Sequence, residues 1–242
     1  MLHYTQRKGR MTIMGVLPIN NKLVLLLKSS DSRREFKTNF RYLFKLPPLS
    51  YKLLSTGLPL QAQRFIYDNL NSNRLYLEYG LGGSTLIAHS TGAKCLVVDS
   101  DLRYIDAIND RPRLTLLHAN IGKVGPYGAP IFSTFRKLNY KLGVLYSSKP
   151  YLYFETLNPD LVLIDGRYRL ACALQLIKHN PKGNWVMMID DYVERSEYHE
   201  IERFAYLMHV IENRVGVFRA FDHLLDAKEL DNCLAKAVQD YR

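Results

Sequence analysis

The chain has 242 residues, 47% of them apolar, enough to bury a full core and within the size range of one α/β domain. Its formal charge of +10 is uneven: residues 1–45 hold ten Lys or Arg (Arg7, Lys8, Arg10, Lys22, Lys28, Arg33, Arg34, Lys37, Arg41, Lys45) against Asp31 and Glu35, a net +8, which leaves +2 for the other 197 residues. Solenoids, disordered arrays and membrane-spanning helices are excluded, since no repeat, low-complexity tract or long apolar run is present.

The basic residues define an N-terminal extension, 1–58, able to touch an anionic membrane, a nucleic acid or an acidic partner. Arg7-Lys8-Gly9-Arg10 before Met11–Ile19 has the outline of a signal peptide, but Pro18 and Asn20-Asn21-Lys22 interrupt it and no small-residue cleavage site follows. Cys95, Cys172 and Cys233 lie in apolar periodic segments, as reduced core thiols do. The expectation is a cytoplasmic chain, peripheral membrane contact left open.

A domain over 59–242 follows the Pro47-Pro48 break. Gln61–Leu70 places Ala62, Phe65, Ile66 and Leu70 at helical spacing, with Asn71-Ser72-Asn73 as its stop. Arg74–Tyr79, Lys94–Asp99, Leu114–His118, Asp160–Asp165 and Trp185–Asp190 are short runs rich in Leu, Val, Ile and Met, the pattern of strands buried on both faces. Helical stretches at Ser84–Ser90, Asp101–Asn109 and Arg169–Asn180 separate them. From Pro126 to Pro159 the helical pattern fades and eight aromatics appear, Tyr127, Phe132, Phe135, Tyr140, Tyr146, Tyr151, Tyr153 and Phe154, which reads as a candidate substrate lid or an elaborated crossover. His209–Arg214 and Val215–Phe221 close the pattern as an antiparallel pair, before a terminal helix carrying Leu224, Leu225, Leu230 and Leu234. Alternating strands and helices predict a doubly wound, mostly parallel seven-stranded sheet with one antiparallel strand.

The chemistry starts after the first strand. In Glu78-Tyr79-Gly80-Leu81-Gly82-Gly83-Ser84-Thr85 glycines allow a sharp turn and close approach to a ligand, and the turn aims backbone amides at it. Asp99 ends the second strand, placed to accept hydrogen bonds from both hydroxyls of a ribose. A dinucleotide fingerprint requires a third glycine where Thr85 stands, which weakens a nicotinamide reading.

These residues resemble motif I of the class I S-adenosylmethionine-dependent methyltransferases, with Glu78 two residues ahead of the Gly-x-Gly and Asp99 as the ribose-binding acid. The resemblance runs from about Gln61 to Phe221 and is nearest to a bacterial group of methyltransferase-like proteins. It implies a Rossmann-like methyltransferase fold and a cofactor site of Glu78, Gly80, Gly82, Gly83, Ser84, Asp99 and Asp165. Asn120-Ile121-Gly122 stands where the family often has Asp-Ile-Gly, so Asn120 and Ile121 are the expected adenine contacts.

Asp165 closes strand four and Asp190-Asp191 closes strand five, so the three should meet at the carboxyl ends where such folds bind ligands. Clustered carboxylates repel unless a cation, an arginine or a shared proton relieves them. Their spacing resembles metal-dependent O-methyltransferases of the catechol type, making Asp165, Asp190 and Asp191 the candidate catalytic and metal-binding residues, an all-oxygen set suited to Mg²⁺ or Ca²⁺ rather than zinc. Such a metal would lower the pKa of a substrate hydroxyl; without one, Asp190 or Asp191 is the candidate base, and helix capping is the bland alternative. Arg167 and Arg169 are the candidate substrate-binding residues, through paired hydrogen bonds to an anion, or else ion-pair with these acids.

The leading expectation is methyl transfer from S-adenosylmethionine to a hydroxyl of a small molecule, sugar or lipid-linked glycan. The rivals are an RNA methyltransferase whose basic arm tracks phosphates, marked by steep salt dependence, and a non-catalytic cofactor-binding module. The acceptor and the oligomeric state are not readable from sequence.

Overall fold

The computed structural model describes residues 56–108, 111–125, 128–130 and 136–241. Contacts of the basic segment 1–45 with nucleic acid or membrane therefore lie outside the described residues. Among those residues, no helix is long and apolar enough to cross a membrane.

The elements in chain order are α1 (Leu60–Asp68), β1 (Leu75–Tyr79), α2 (Gly83–Ser90), β2 (Lys94–Asp99), α3 (Leu102–Ile108), β3 (Leu114–His118), α4 (Arg136–Ser147), β4 (Leu161–Ile164), α5 (Arg169–His179), β5 (Val186–Ile189), β6 (Ala205–Ile211), β7 (Val215–Ala220) and α6 (Ala227–Ala237), with short 3-10 turns at Lys149–Leu152 and Ser196–Arg203. The strands form one seven-stranded sheet in the order β3-β2-β1-β4-β5-β7-β6. Pairing is parallel from β3 through β5, and β7 runs antiparallel to both its neighbours. This is the expected doubly wound sheet with one reversed strand.

Alternation along each strand divides the core in two, because successive side chains point to opposite faces. Leu77, Tyr79, Leu96, Val98, Val162, Ile164, Met187 and Ile189 pack with α5 and α6. Tyr76, Cys95, Val97, Leu161, Leu163 and Met188 pack with Ala62 and Ile66 of α1, Ala88 of α2 and Ile108 of α3. Helix α5, buried continuously from Ala171 to Ile177, reads in sequence as a one-faced helix but also packs against α4 and α6. Cys95, Cys172 and Cys233 are buried and free.

Two elements depart most from the sequence expectation. β6 begins at Ala205, four residues before His209. More instructively, α4 occupies Arg136–Ser147, where the helical pattern had faded. Its buried positions are Asn139, Gly143, Tyr146 and Ser147, whereas Leu138, Tyr140 and Val144 are exposed. The helical period is intact, but Asn139, Gly143 and Ser147 share the inward face with Tyr146, while the apolar Leu138, Tyr140 and Val144 face outward. Asn139 Oδ1 accepts from the Tyr168 hydroxyl at 2.6 Å, and the Ser147 hydroxyl donates to the Gly143 carbonyl at 2.7 Å, so the inward polar groups are satisfied. Within 126–159, Arg136–Ser147 is thus a crossover helix packed on α5.

The chain proceeds from β1 outward to β2 and β3, then returns to place β4 on the other side of β1. The reversal makes the carboxyl ends of β1 and β4 the switch point at which open α/β sheets bind ligands.

Candidate functional site at the switch point

The turn leaving β1 is shaped by contact with the turn leaving β4. Gly80 adopts φ +105°, and a Cβ there would lie 2.6 Å from the Gly166 nitrogen, 2.8 Å from its Cα and 2.9 Å from the Asp165 carbonyl carbon. Backbone meets backbone, which is why glycine stands here. Two hydrogen bonds from Asp99, at the end of β2, then fix the neighbouring loops: Oδ2 accepts from the Leu81 amide at 2.7 Å and Oδ1 from the Asp101 amide at 2.6 Å. Burial pushes the Asp99 pKa up to about 6, against the lowering effect of these backbone bonds.

Glu78 is fully buried and does not line the cavity at the switch point. Its carboxylate accepts hydrogen bonds from the hydroxyls of Ser84 and of Thr85, the latter at 2.5 Å. Thr85 Oγ1 also accepts from the Gly82 amide at 3.3 Å. Glu78 therefore staples the first turn of α2 to β1 rather than facing a ligand, and Thr85, absent from the dinucleotide pattern, is half of that staple. Burial dominates its electrostatics, raising its pKa to about 8 in spite of the two hydroxyls.

The cavity encloses about 600 Å³. Gly80, Gly82, Gly83, Ser84 and Asp99 form one end; Asp165, Arg167, Arg169, Asp190 and Asp191 form the other. The structure thus brings together the glycine turn, the ribose-type acid and all three candidate carboxylates. It leaves Asn120 and Ile121 outside. Ile121 is buried in the core, and the exposed Asn120 accepts from the Gly122 amide at 3.0 Å, lining a separate shallow depression with Ser100, Leu102 and His118. On that side the cavity is walled by Ser100 and Gly128, whose carbonyl accepts from Ser100 Oγ at 3.4 Å.

The carboxylates are relieved by arginines. Arg169 Nη2 lies 3.1 Å from Asp165 Oδ1, and its Nη1 lies 3.2 Å from Asp191 Oδ2. Arg214 Nη2 lies 2.6 Å from Asp190 Oδ2, and its Nε 3.2 Å from Asp191 Oδ1. Arg195 adds a longer contact, 3.7 Å, to Asp191 Oδ2. Burial raises the Asp165 pKa to about 7; Arg169 opposes this, while Asp190 and Asp191 add to it. Burial and the neighbouring Arg169 charge lower the pKa of Arg167. Asp190 Oδ1 is buried without a hydrogen-bond partner on a residue that lines the cavity. The set does not fit the expected Mg²⁺: among the described residues no three His, Cys, Asp or Glu side chains form a metal-holding group, and guanidinium groups stand where the ion would have to.

Sequence reading did not find Arg214 or Arg195, and gave Tyr146, which lines the cavity, only as one of the aromatics of the candidate lid. Arg214 lies at the foot of β7, and the antiparallel register pairing Ile189 with Gly216 brings it beside Asp190 and Asp191. Thr56 and Gly57, which also line the cavity, are held there because the Gly57 carbonyl accepts from Arg214 Nη1 at 2.9 Å.

The strand order, the reversed β7 and the cavity at the β1/β4 switch point together define the class I S-adenosylmethionine-dependent methyltransferase fold. Among solved structures the chain is similar to a methyltransferase-like protein from Silicibacter pomeroyi, with 24% identity, TM-score 0.62, and coverage of 77% of this chain and 98% of that one. It also aligns, at TM-score 0.38 and 16% identity over 71% of this chain and 51% of the other, with the MycE methyltransferase of the mycinamycin biosynthetic pathway, solved with Mg, SAH and mycinamycin VI; that likeness carries no weight here. No family model and no curated protein matches the chain.

Proposed function

We propose that this chain is a methyltransferase that uses S-adenosylmethionine to methylate a hydroxyl group of a small molecule, sugar or lipid-linked glycan. The observation that carries the reading is that Asp190 lines one cavity with the Gly80–Gly83 turn and Asp99. Bound there, S-adenosylmethionine would supply an electrophilic methyl group. Asp99 retains acceptor capacity beyond its two backbone bonds and would hold the ribose hydroxyls. The amides of the α2 N-terminus would favour the anionic end of the ligand.

Asp190 is the base: its carboxylate takes the hydroxyl proton as the oxygen forms its bond to the methyl carbon and the sulfur–methyl bond breaks. Arg214, on Oδ2, fixes the orientation of that carboxylate. Positioning supplies much of the remaining acceleration. The assignment does not require a divalent ion, and RNA as an acceptor for the basic arm rests on charge alone.

Two substitutions test the assignment by different readouts. Asp99→Ala should weaken S-adenosylmethionine binding by roughly 10- to 100-fold, the size expected when hydrogen bonds to a charged group are lost; unchanged affinity in calorimetry would remove Asp99 from the ribose. Asp190→Asn should cut kcat by about 10²–10⁴ with any acceptor the wild type methylates, while sparing cofactor affinity. Near wild-type kcat in the Asp190→Asn enzyme would mean that another group takes the proton.

A further inference from the structure

Three tyrosines meet beneath the switch point. Tyr79, Tyr146 and Tyr168 are all buried, and the Tyr146 ring centroid lies 6.0 Å from that of Tyr79 and 5.9 Å from that of Tyr168. A buried hydroxyl needs an acceptor for its hydrogen. Tyr79 gives its hydrogen to the Ser147 carbonyl at 2.8 Å, and Tyr168 gives its own to Asn139 Oδ1 at 2.6 Å. The Tyr146 hydroxyl differs. Its oxygen accepts from the Arg167 amide at 3.4 Å, while no acceptor among the described residues receives its hydrogen. Of the three, Tyr146 is the one that lines the cavity. The turn after β4 leaves room for it, since a Cβ on Gly166 would collide with the Tyr146 oxygen. Burial and the Asp99 charge hold its pKa well above the usual phenol range, so the hydroxyl keeps its hydrogen.

We propose that Tyr146 donates this hydrogen to a ribose hydroxyl of bound S-adenosylmethionine, completing from α4 the hold that Asp99 takes from the end of β2. The proposal rests on the methyltransferase reading and on Asp99 as the ribose acid. An ionised Asp99 only accepts, so a ribose hydroxyl that donates to it keeps an oxygen able to accept, and that oxygen needs a donor from another direction. Tyr146 is such a donor, in the same cavity as Asp99 and near enough to feel its charge. One residue takes a hydrogen and the other gives one. A hydroxyl suits both, whereas a deoxygenated sugar carbon suits neither.

The test is calorimetric titration of the full chain and of Tyr146→Phe with S-adenosylhomocysteine and with its 2′-deoxy and 3′-deoxy analogues. Phenylalanine keeps the ring that packs on Tyr79 and Tyr168, so the variant should fold. It should bind S-adenosylhomocysteine roughly tenfold more weakly than the wild type, the size of one buried hydrogen bond. One of the two deoxy analogues should bind both proteins alike, because it lacks the hydroxyl that Tyr146 reaches. Equal affinity of wild type and variant for S-adenosylhomocysteine would overturn the proposal. So would a loss of the same size for all three ligands, which would mean that the hydroxyl shapes the site without touching the ribose. A second measurement needs no variant. With ¹³C at tyrosine Cζ of the wild type, one resonance should move with saturating S-adenosylhomocysteine and stay in place with that same deoxy analogue. Tyrosine resonances that respond identically to all three ligands would contradict the proposal. No binding of S-adenosylhomocysteine by the wild type would instead defeat the methyltransferase reading, and this assignment with it.

Discussion

Gly80→Ala should destabilise the protein by roughly 3–5 kcal/mol, in the upper range for a single substitution. The added Cβ meets three backbone atoms of residues 165 and 166 at 2.6–2.9 Å, and none can swing aside as the end of a flexible side chain would. Residue 80 is also held at φ +105°, a conformation an L-residue adopts only at a cost. Relief would require parting the exits of β1 and β4, which are paired up to Tyr79 and Ile164. Because the same exits form the cavity floor, ligand binding should fall with stability. Chemical denaturation checks the prediction, and a loss under about 1 kcal/mol would mean that the two turns do not touch as described.

The second large effect belongs to Glu78. Removing its carboxyl in Glu78→Ala strands two buried hydroxyls and opens a void beneath α2, together costing about 2–4 kcal/mol. Glu78→Gln should behave differently. With a native pKa raised from 4.5 to about 8, the folded protein holds a proton on Glu78 over a range in which the unfolded chain has released it. Fewer protons are then bound in the unfolded state, so this group lowers stability as pH rises from about 4.5 to 8. Asp99 and Asp165, both raised by burial, act in the same direction up to about 6 and 7. A glutamine has no proton to lose. The variant should therefore match the wild type near pH 5 and exceed it above about pH 8, by a margin on the order of 3–5 kcal/mol at most. Thermal midpoints measured across pH should converge in acid and diverge in base; parallel curves would show that Glu78 is ionised at neutral pH.

The sheet was readable because its central strands are nearly continuous apolar runs such as Leu161–Ile164 and Val186–Ile189, a pattern with few competing explanations. Helix α4 was not, because the reading counts apolar residues at helical spacing and this helix turns Asn139, Gly143 and Ser147 inward. β6 was cut short because its residues from Tyr206 to Val210 are largely exposed on an edge strand, where the strict alternation of a half-buried strand is not enforced.

The site divides in the same way. Gly80, Asp99 and the three later aspartates are each fixed by position relative to one strand end, which sequence shows. Which side chain answers which charge depends on register between distant strands, so Arg214 and Arg195 were invisible and the acid cluster read as metal-like. Glu78 was assigned by resemblance to the cofactor, yet its position in β1 points its side chain to the α2 face, away from the cavity. Asn120 was placed by the same analogy; it does not line the cavity, and its amide oxygen accepts from the Gly122 amide.

The most direct test of methyltransferase function is calorimetric titration of the full chain with S-adenosylmethionine, S-adenosylhomocysteine and NAD, each with and without EDTA. The expected result is micromolar binding of the first two, indifferent to EDTA, and none of NAD. Binding of NAD instead, or of neither sulfur compound under any of these conditions, would contradict the assignment.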